Sequence, residues 1–94
     1  MVMEIEVRVF ATLREVMEPE STVSLEEGST AKDLLDRLTS RHEELAEILF
    51  DDDGGLRSFV NVLKNGRNIN FIDGLATPLA DGDVVAIFPP AGGG

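Results

Sequence analysis

The sequence has 94 residues, enough for one domain with a modest core, and its hydrophobic fraction of 43% is typical of a folded protein. It has no cysteine, which excludes disulfides, thiolate metal sites, iron–sulfur clusters and a cysteine nucleophile in this chain. The formal net charge of −10 disfavours nucleic-acid binding and favours either a basic protein partner or an acidic surface kept for solubility in a salty cytoplasm. No stretch is long and apolar enough to span a bilayer, and no cationic leader precedes an apolar run, which predicts a soluble, cytoplasmic protein without membrane contact.

The N-terminal half predicts a β-hairpin followed by helices. Residues 3–10 alternate between apolar and charged side chains, as in a half-buried strand, and Phe10 falls in phase with the charged positions. We therefore expect Phe10 on the open face of the sheet. Residues 21–28 predict a second short strand that closes the hairpin. The apolar residues that follow recur at three- and four-residue spacing, which predicts a main helix with Thr30 as its N-cap and Asp33 in a capping-box position, and then a shorter helix.

The C-terminal half predicts a second hairpin and a central strand. Two apolar runs flank Asn65-Gly66, the dipeptide that most readily forms a type I′ turn. Leu79 is expected in the core of the connection that follows. The last run, "VVAIF", has no polar residue, which is typical of a strand that is paired on both sides and parallel to a distant partner.

The order strand, strand, helix, strand, strand, strand predicts an α+β protein with the β-grasp, or ubiquitin-like, fold. Its mixed sheet is expected to have about five strands, with one main helix across one face. We expect the β-grasp domain to cover residues 1–88 and a flexible C-terminal glycine tail to cover residues 89–94.

The side chains show no constellation typical of an enzyme. The only histidine, His42, falls in a charged helical segment, the serines lack a nucleophile-elbow context, and no glycine-rich loop between a strand and a helix could hold a phosphate. The acidic run at residues 51–53 lacks the spacing of a calcium-binding loop. We therefore expect a chain with no catalytic side-chain site, no metal and no bound cofactor.

The C-terminal end is the part of the sequence suited to chemistry. Pro89 and Pro90 favour an extended exit from the domain, whereas Gly92, Gly93 and Gly94 have no β-carbon to block a narrow channel or hinder attack on a carbonyl. The extended tail reaches about 20 Å, at 3.3–3.6 Å per residue. A carboxylate must be activated, usually by adenylation with ATP, so this terminus suits delivery into another protein's active site. The alternative is a frayed end with no role.

Three stretches, "VRVFATLRE", "FVNVLKNGRNI" and "ADGDVVAIFPPAGGG", resemble the MoaD family, the small subunit of molybdopterin synthase, over nearly the whole chain. The resemblance implies a non-catalytic sulfur carrier. A MoeB-like enzyme would use ATP to adenylate Gly94, and sulfur transfer would turn the terminus into a thiocarboxylate. A MoaE-like large subunit would then take the tail, with Gly92 and Gly93 allowing passage, and pass the sulfur on during molybdenum cofactor biosynthesis.

The same resemblance implies a docking surface beside the tail. Phe10 matches the family's aromatic residue at the first strand, and Phe88 matches the one before the two prolines. Phe88 shares the open face with Phe10 if the alternate residues of the last strand point to the helix, and an exposed aromatic pair is a typical binding hot spot. Phe10, Phe88, Pro89 and Pro90 are therefore the predicted partner-binding residues.

Three alternatives stay open at this point. A ubiquitin-like modifier would use the same adenylated Gly94 but join it to lysines of target proteins. A ThiS-like carrier would serve another sulfur pathway, although such carriers are usually shorter and lack the "FDDDGG" insertion. A plain β-grasp interaction module would keep its activity after the loss of Gly93 and Gly94.

Overall fold

The structure is a computed structural model that describes residues 1–89. Its strands and α-helices follow the predicted order, with 3₁₀ helices in the connections. They are β1 (Val2–Val9), β2 (Glu20–Glu26), α1 (Ala31–Arg41), α2 (Glu43–Leu49), β3 (Asn61–Lys64), β4 (Arg67–Asn68) and β5 (Val84–Phe88). The predicted β-grasp fold with a five-stranded mixed sheet is confirmed.

The last strand lies at the centre of the sheet, as predicted. The strand order is β2-β1-β5-β3-β4, in which β5 pairs with β1 in parallel and with β3 in antiparallel orientation. A strand with two neighbours and a covered face has little room for polar side chains, which explains the apolar composition of β5. The end of β5 is therefore held on both sides where the chain runs on toward its C-terminus.

The core lies between one face of the sheet and the two helices. β1 alternates buried and more exposed residues along its length, as predicted, and its inward side chains join those of the helices in one hydrophobic cluster. Apart from Ile48, which is half-buried, the apolar residues of the β1 alternation and of the helical pattern are buried, as is Leu79: Met3, Ile5, Val7, Val9, Ala31, Leu34, Leu35, Leu38, Leu45, Leu49 and Leu79. The other face of the sheet carries the polar side chains of β1 and β2 and stays open for the site described below.

The start of α1 forms the predicted capping box. The Asp33 backbone N–H donates to Thr30 Oγ1 at 3.4 Å, and the Thr30 backbone N–H donates to Asp33 Oδ2 at 2.9 Å. The two contacts satisfy N–H groups that would otherwise lack partners at the helix start. α1 ends at Arg41, His42 separates it from α2, and the predicted break between two helices is confirmed.

We expect Thr30→Ala to lower the free energy of unfolding by about 0.5–2 kcal/mol, because alanine removes the oxygen that accepts from Asp33. Urea denaturation followed by circular dichroism measures this change. Thr30→Ser keeps the accepting hydroxyl and is the matched control, for which we expect most of the stability to remain. Equal losses for the two variants would show that the capping contact contributes little.

The hairpin between β3 and β4 has the predicted turn, but its second strand is shorter than the apolar run after Gly66 indicates. Asn65 and Gly66 have φ angles of 50° and 87°, as a type I′ turn requires. β4 is two residues long, and the chain then enters a 3₁₀ helix over Ile69–Phe71. The Asn68 side chain caps this helix by accepting from the Asn70 N–H at 2.9 Å. An asparagine that bonds its local backbone in this way competes with strand pairing.

Candidate partner-docking site

The structure brings Phe10 and Phe88 together on the open face of the sheet. Val9 and Ile87 are paired in the parallel register of β1 and β5, so the residues that follow them are neighbours. The Phe10 N–H donates to the Ile87 carbonyl at 3.2 Å. The two rings stack with their centroids 4.4 Å apart and their planes inclined by 6°. Both side chains are half-buried, which leaves ring surface available to a partner.

Arg14 adds a cation to this aromatic stack. Its guanidinium carbon lies 5.3 Å from the Phe10 ring centroid, within the range of a cation–π contact, and its Nε donates to the Val9 carbonyl at 3.1 Å. The short 3₁₀ helix over Ala11–Glu15 holds the arginine there, and its first residue, Ala11, takes a positive φ of 53°. Arg14 is not among the residues predicted from the sequence, and its position four residues after an open-face aromatic is the only sequence signal for it.

Leu63 and Ala86 extend the apolar surface toward β3. They are opposite each other in the antiparallel register of β3 and β5, and both are half-buried on the side away from the core. We call the set of Phe10, Leu63, Ala86 and Phe88 the aromatic face. The sequence analysis also missed Leu63, because its place beside β5 depends on a strand register that no local pattern reveals.

Charged side chains border the aromatic face on the β1 side. Arg8 is paired with Ala86 in the register, and its Nη2 contacts Glu6 Oε2 at 2.7 Å. Its Nε lies 3.9 Å from Glu20 Oε1 on β2. Exposed ion pairs of this kind contribute little to stability, roughly 0–1 kcal/mol each. Their more useful effect is to orient an approaching partner, because charge at the rim of an interface mainly affects specificity and association rate.

The aromatic face lies where the chain leaves the folded domain. Phe88 is the last residue of β5, and Pro89 follows it directly. Pro90, Gly92, Gly93 and Gly94 lie outside the described residues, so their predicted roles in the exit, the passage and the reaction stay predictions, as does the division into a domain and a tail.

Two further properties concern residues 1–89. No group of three or more histidine, cysteine, aspartate or glutamate side chains in this range is placed to hold a metal ion. No helix in the same range is long and apolar enough to cross a membrane. His42 sits between the two helices, half-buried.

The sequence matches the ThiS family over residues 7–94, which is most of the chain. The chain belongs to the ThiS family. Among its relatives, this ThiS-family protein is 45% identical to small archaeal modifier protein 3 of Haloferax volcanii over 93 residues, which cover 98% of this chain and 100% of that protein. It is 38% identical to the sulfur carrier protein CysO of Mycobacterium tuberculosis over 69 residues, which cover 71% and 74% of the two chains.

The solved structures agree with the sequence relatives. The crystal structure of small archaeal modifier protein 1 from Haloferax volcanii matches this ThiS-family protein with a TM-score of 0.85 and 37% identity, over 97% of this chain and 99% of that one. The expected ubiquitin-like sulfur-carrier and modifier family is thus confirmed. The relatives described above are two small archaeal modifiers and a sulfur carrier, so the narrower expectation of a MoaD subunit is not confirmed.

Proposed function

We propose that this protein is a ubiquitin-like modifier. In this proposal, an activating enzyme related to MoeB uses ATP to adenylate the carboxylate of Gly94, and the activated carbonyl is then joined to lysine side chains of target proteins. The match to small archaeal modifier protein 3 over 98% of this chain and the whole of that protein favours the modifier over the other readings. The protein itself supplies no catalytic side chain in this scheme.

The observation that carries the proposal is the position of the aromatic face next to the tail. Phe88 belongs to that face, and Gly94 lies six positions after it in the sequence. The chain beyond Phe88 reaches about 20 Å when extended. A partner that binds the aromatic face is therefore expected to have its reaction centre within that distance, as a modifier-activating enzyme requires.

The aromatic face has the chemistry of a docking surface. Its stacked rings offer a large, rigid apolar area, and aromatic residues of this kind dominate the binding energy of protein interfaces. The chain carries a net charge of −10, so we expect the complementary partner surface to combine an apolar pocket with a basic rim. The activating enzyme is the first partner for which we expect this arrangement.

A sulfur carrier is the second candidate, favoured by the similarity to CysO. It would use the same adenylated Gly94, with sulfur in place of a target lysine as the attacking group, and would end as a thiocarboxylate. The MoaD-type version, with a MoaE-like partner and molybdopterin as the product, is one form of this candidate. It has weaker support than the modifier, because the relative that is 45% identical over its whole length is a small archaeal modifier.

Mapping of conjugation sites in the native cell separates the two candidates. Arg67 is the last basic residue of the sequence, so trypsin would leave residues 68–94 attached to every modified lysine. The substitution Ala91→Arg places a trypsin site directly before the three glycines, which reduces the remnant to Gly-Gly-Gly. We expect mass spectrometry to find this remnant on lysines of several proteins.

The matched control carries Ala91→Arg together with a deletion of Gly94, and we expect no remnants from it. A result with no lysine remnants, in which the protein is found free and with the mass increase of an oxygen-to-sulfur exchange, would contradict the modifier and support the carrier.

A further inference from the structure

The two lysines of the sequence, Lys32 and Lys64, lie in very different surroundings. The side chain of Lys64 is only 23% exposed. Its Nζ donates to the Pro78 carbonyl at 2.9 Å and lies 3.6 Å from Asp83 Oδ2. Lys64 is therefore held in place by a carbonyl and a carboxylate from the connection between β4 and β5.

Acylation of Lys64 would disturb a buried network. The Asp83 side chain is about 10% exposed and also accepts from the Ala80 N–H at 2.7 Å and from Asn65 Nδ2 at 2.9 Å. An acylated lysine is neutral and has one N–H left, so Asp83 would lose its counter-charge while staying buried. Removing one partner of a buried ion pair is strongly destabilising. The folded protein thus opposes modification at Lys64.

Lys32 has the opposite properties. It lies in the first turn of α1, its side chain is 54% exposed, and its Nζ donates to Asp36 Oδ2 at 2.8 Å. An exposed pair one helical turn apart contributes little to stability, so its loss on acylation would cost the fold little. The hydrogen bond to Asp36 raises the pKa of the Lys32 amine, which must lose a proton before it can attack a carbonyl.

Lys32 is also remote from the aromatic face. The Ala31 N–H donates to the Thr77 carbonyl, and Thr30 bridges to Pro78, which ties the start of α1 to the connection that leads into β5. Phe88 lies at the other end of β5, which is roughly 16 Å long at about 3.3 Å per residue. A copy that offers Lys32 as acceptor therefore keeps its own aromatic face accessible.

We propose that Lys32 accepts the tail of a second copy, so that the protein forms chains of itself through bonds between Gly94 and Lys32. The inference rests on the modifier function proposed above. The lone pair of Lys32 Nζ attacks the Gly94 carbonyl of the acyl-adenylate and forms a C–N bond. The C–O bond to the phosphate breaks, AMP leaves with the electron pair, and the amine proton passes to solvent.

The test uses the full chain carrying Ala91→Arg, with ATP and the activating enzyme from the same organism. We expect a product of twice the chain mass of 10.2 kDa less one water. Peptide mapping is expected to place a Gly-Gly-Gly branch on Lys32. Lys32→Arg should reduce this product at least tenfold, whereas the matched Lys64→Arg, which keeps the positive charge beside Asp83, should leave it unchanged.

Three results would overturn the proposal: a branch that maps to Lys64 or to the Met1 amine, an undiminished product from Lys32→Arg, or attachment of the protein to lysines of the activating enzyme but not to itself. In the last case the modifier function would stand while the Lys32 proposal fails. If Gly94 is not adenylated at all, both fail together, and the absence of any ATP-dependent product identifies that outcome.

Discussion

Deletion of Gly93 and Gly94 is expected to abolish every product of activation while leaving the fold intact. The reacting carboxylate would then belong to Gly92, two residues closer to the domain, which shortens the reach by about 7 Å at 3.3–3.6 Å per residue. Within residues 1–89 the buried residues of the last strand end at Ile87, and glycine has no side chain to add to a core, so we expect the deletion to leave the hydrophobic core intact. We expect no conjugate and no thiocarboxylate by intact mass, and an unchanged melting temperature.

The matched control is a substitution in the tail that leaves the length of the tail unchanged. Ala91→Ser changes the tail's chemistry slightly but keeps its length and its last three glycines, so we expect it to be activated normally. A truncated protein that keeps its full activity in the cell would support the plain β-grasp interaction module and contradict both the modifier and the carrier.

Phe88→Ala is expected to weaken binding to the activating enzyme by about 2 kcal/mol or more, roughly thirtyfold in Kd. Phe88 is the last residue of β5, and its ring stacks on that of Phe10. Its loss therefore removes its own contact area and also the ring that holds Phe10 in position. The cost to the fold should be smaller, because the ring is half-buried and the stacking contact is worth about 0.5–1.5 kcal/mol. Isothermal calorimetry and urea denaturation measure the two effects.

The control for Phe88→Ala is Leu38→Ala in the core. Leu38 is 2% exposed, so its truncation should lower the free energy of unfolding by about 2–5 kcal/mol and leave the affinity of the folded protein nearly unchanged. The double variant Phe10→Ala/Phe88→Ala should lose less binding free energy than the two single variants together, because the effects of stacked residues are coupled. Equal losses of affinity and stability for Phe88→Ala would argue against a docking role.

Local patterns were sufficient to predict most of the fold. The alternation in β1, the apolar stripe of α1 and the Asn65-Gly66 turn are each decided by residues close together in the sequence, and the structure confirms all three. β4 is the exception, because the Asn68 side chain accepts from the Asn70 N–H, and the strand ends after two residues. A hydrophobic run alone does not reveal that competition.

The site could be predicted only in part. The phase of each strand placed Phe10 and Phe88 on one face, but their stacking depends on the parallel register between strands that are far apart in the sequence. Leu63 joins the site through the same kind of long-range placement, whereas Arg14 reaches Phe10 through the short 3₁₀ helix that follows it in the sequence. The low exposure of Lys64 was equally invisible, since it depends on Pro78 and Asp83 from the connection before β5.

The family-level function could be predicted, whereas the choice between carrier and modifier could not. Both functions begin with the same adenylated glycine and differ only in the group that attacks it. The residues of this chain therefore have the same task in each case, and the choice depends on the partner proteins.

Pyrophosphate exchange tests the central claim, that Gly94 is the group activated by ATP, most directly. The activating enzyme from the same organism is incubated with ATP, labelled pyrophosphate and either the full chain or the chain without Gly94. The full chain is expected to support incorporation of label into ATP, and the truncated chain is expected to stay at background. Equal exchange with both chains, or none with either, would contradict the claim.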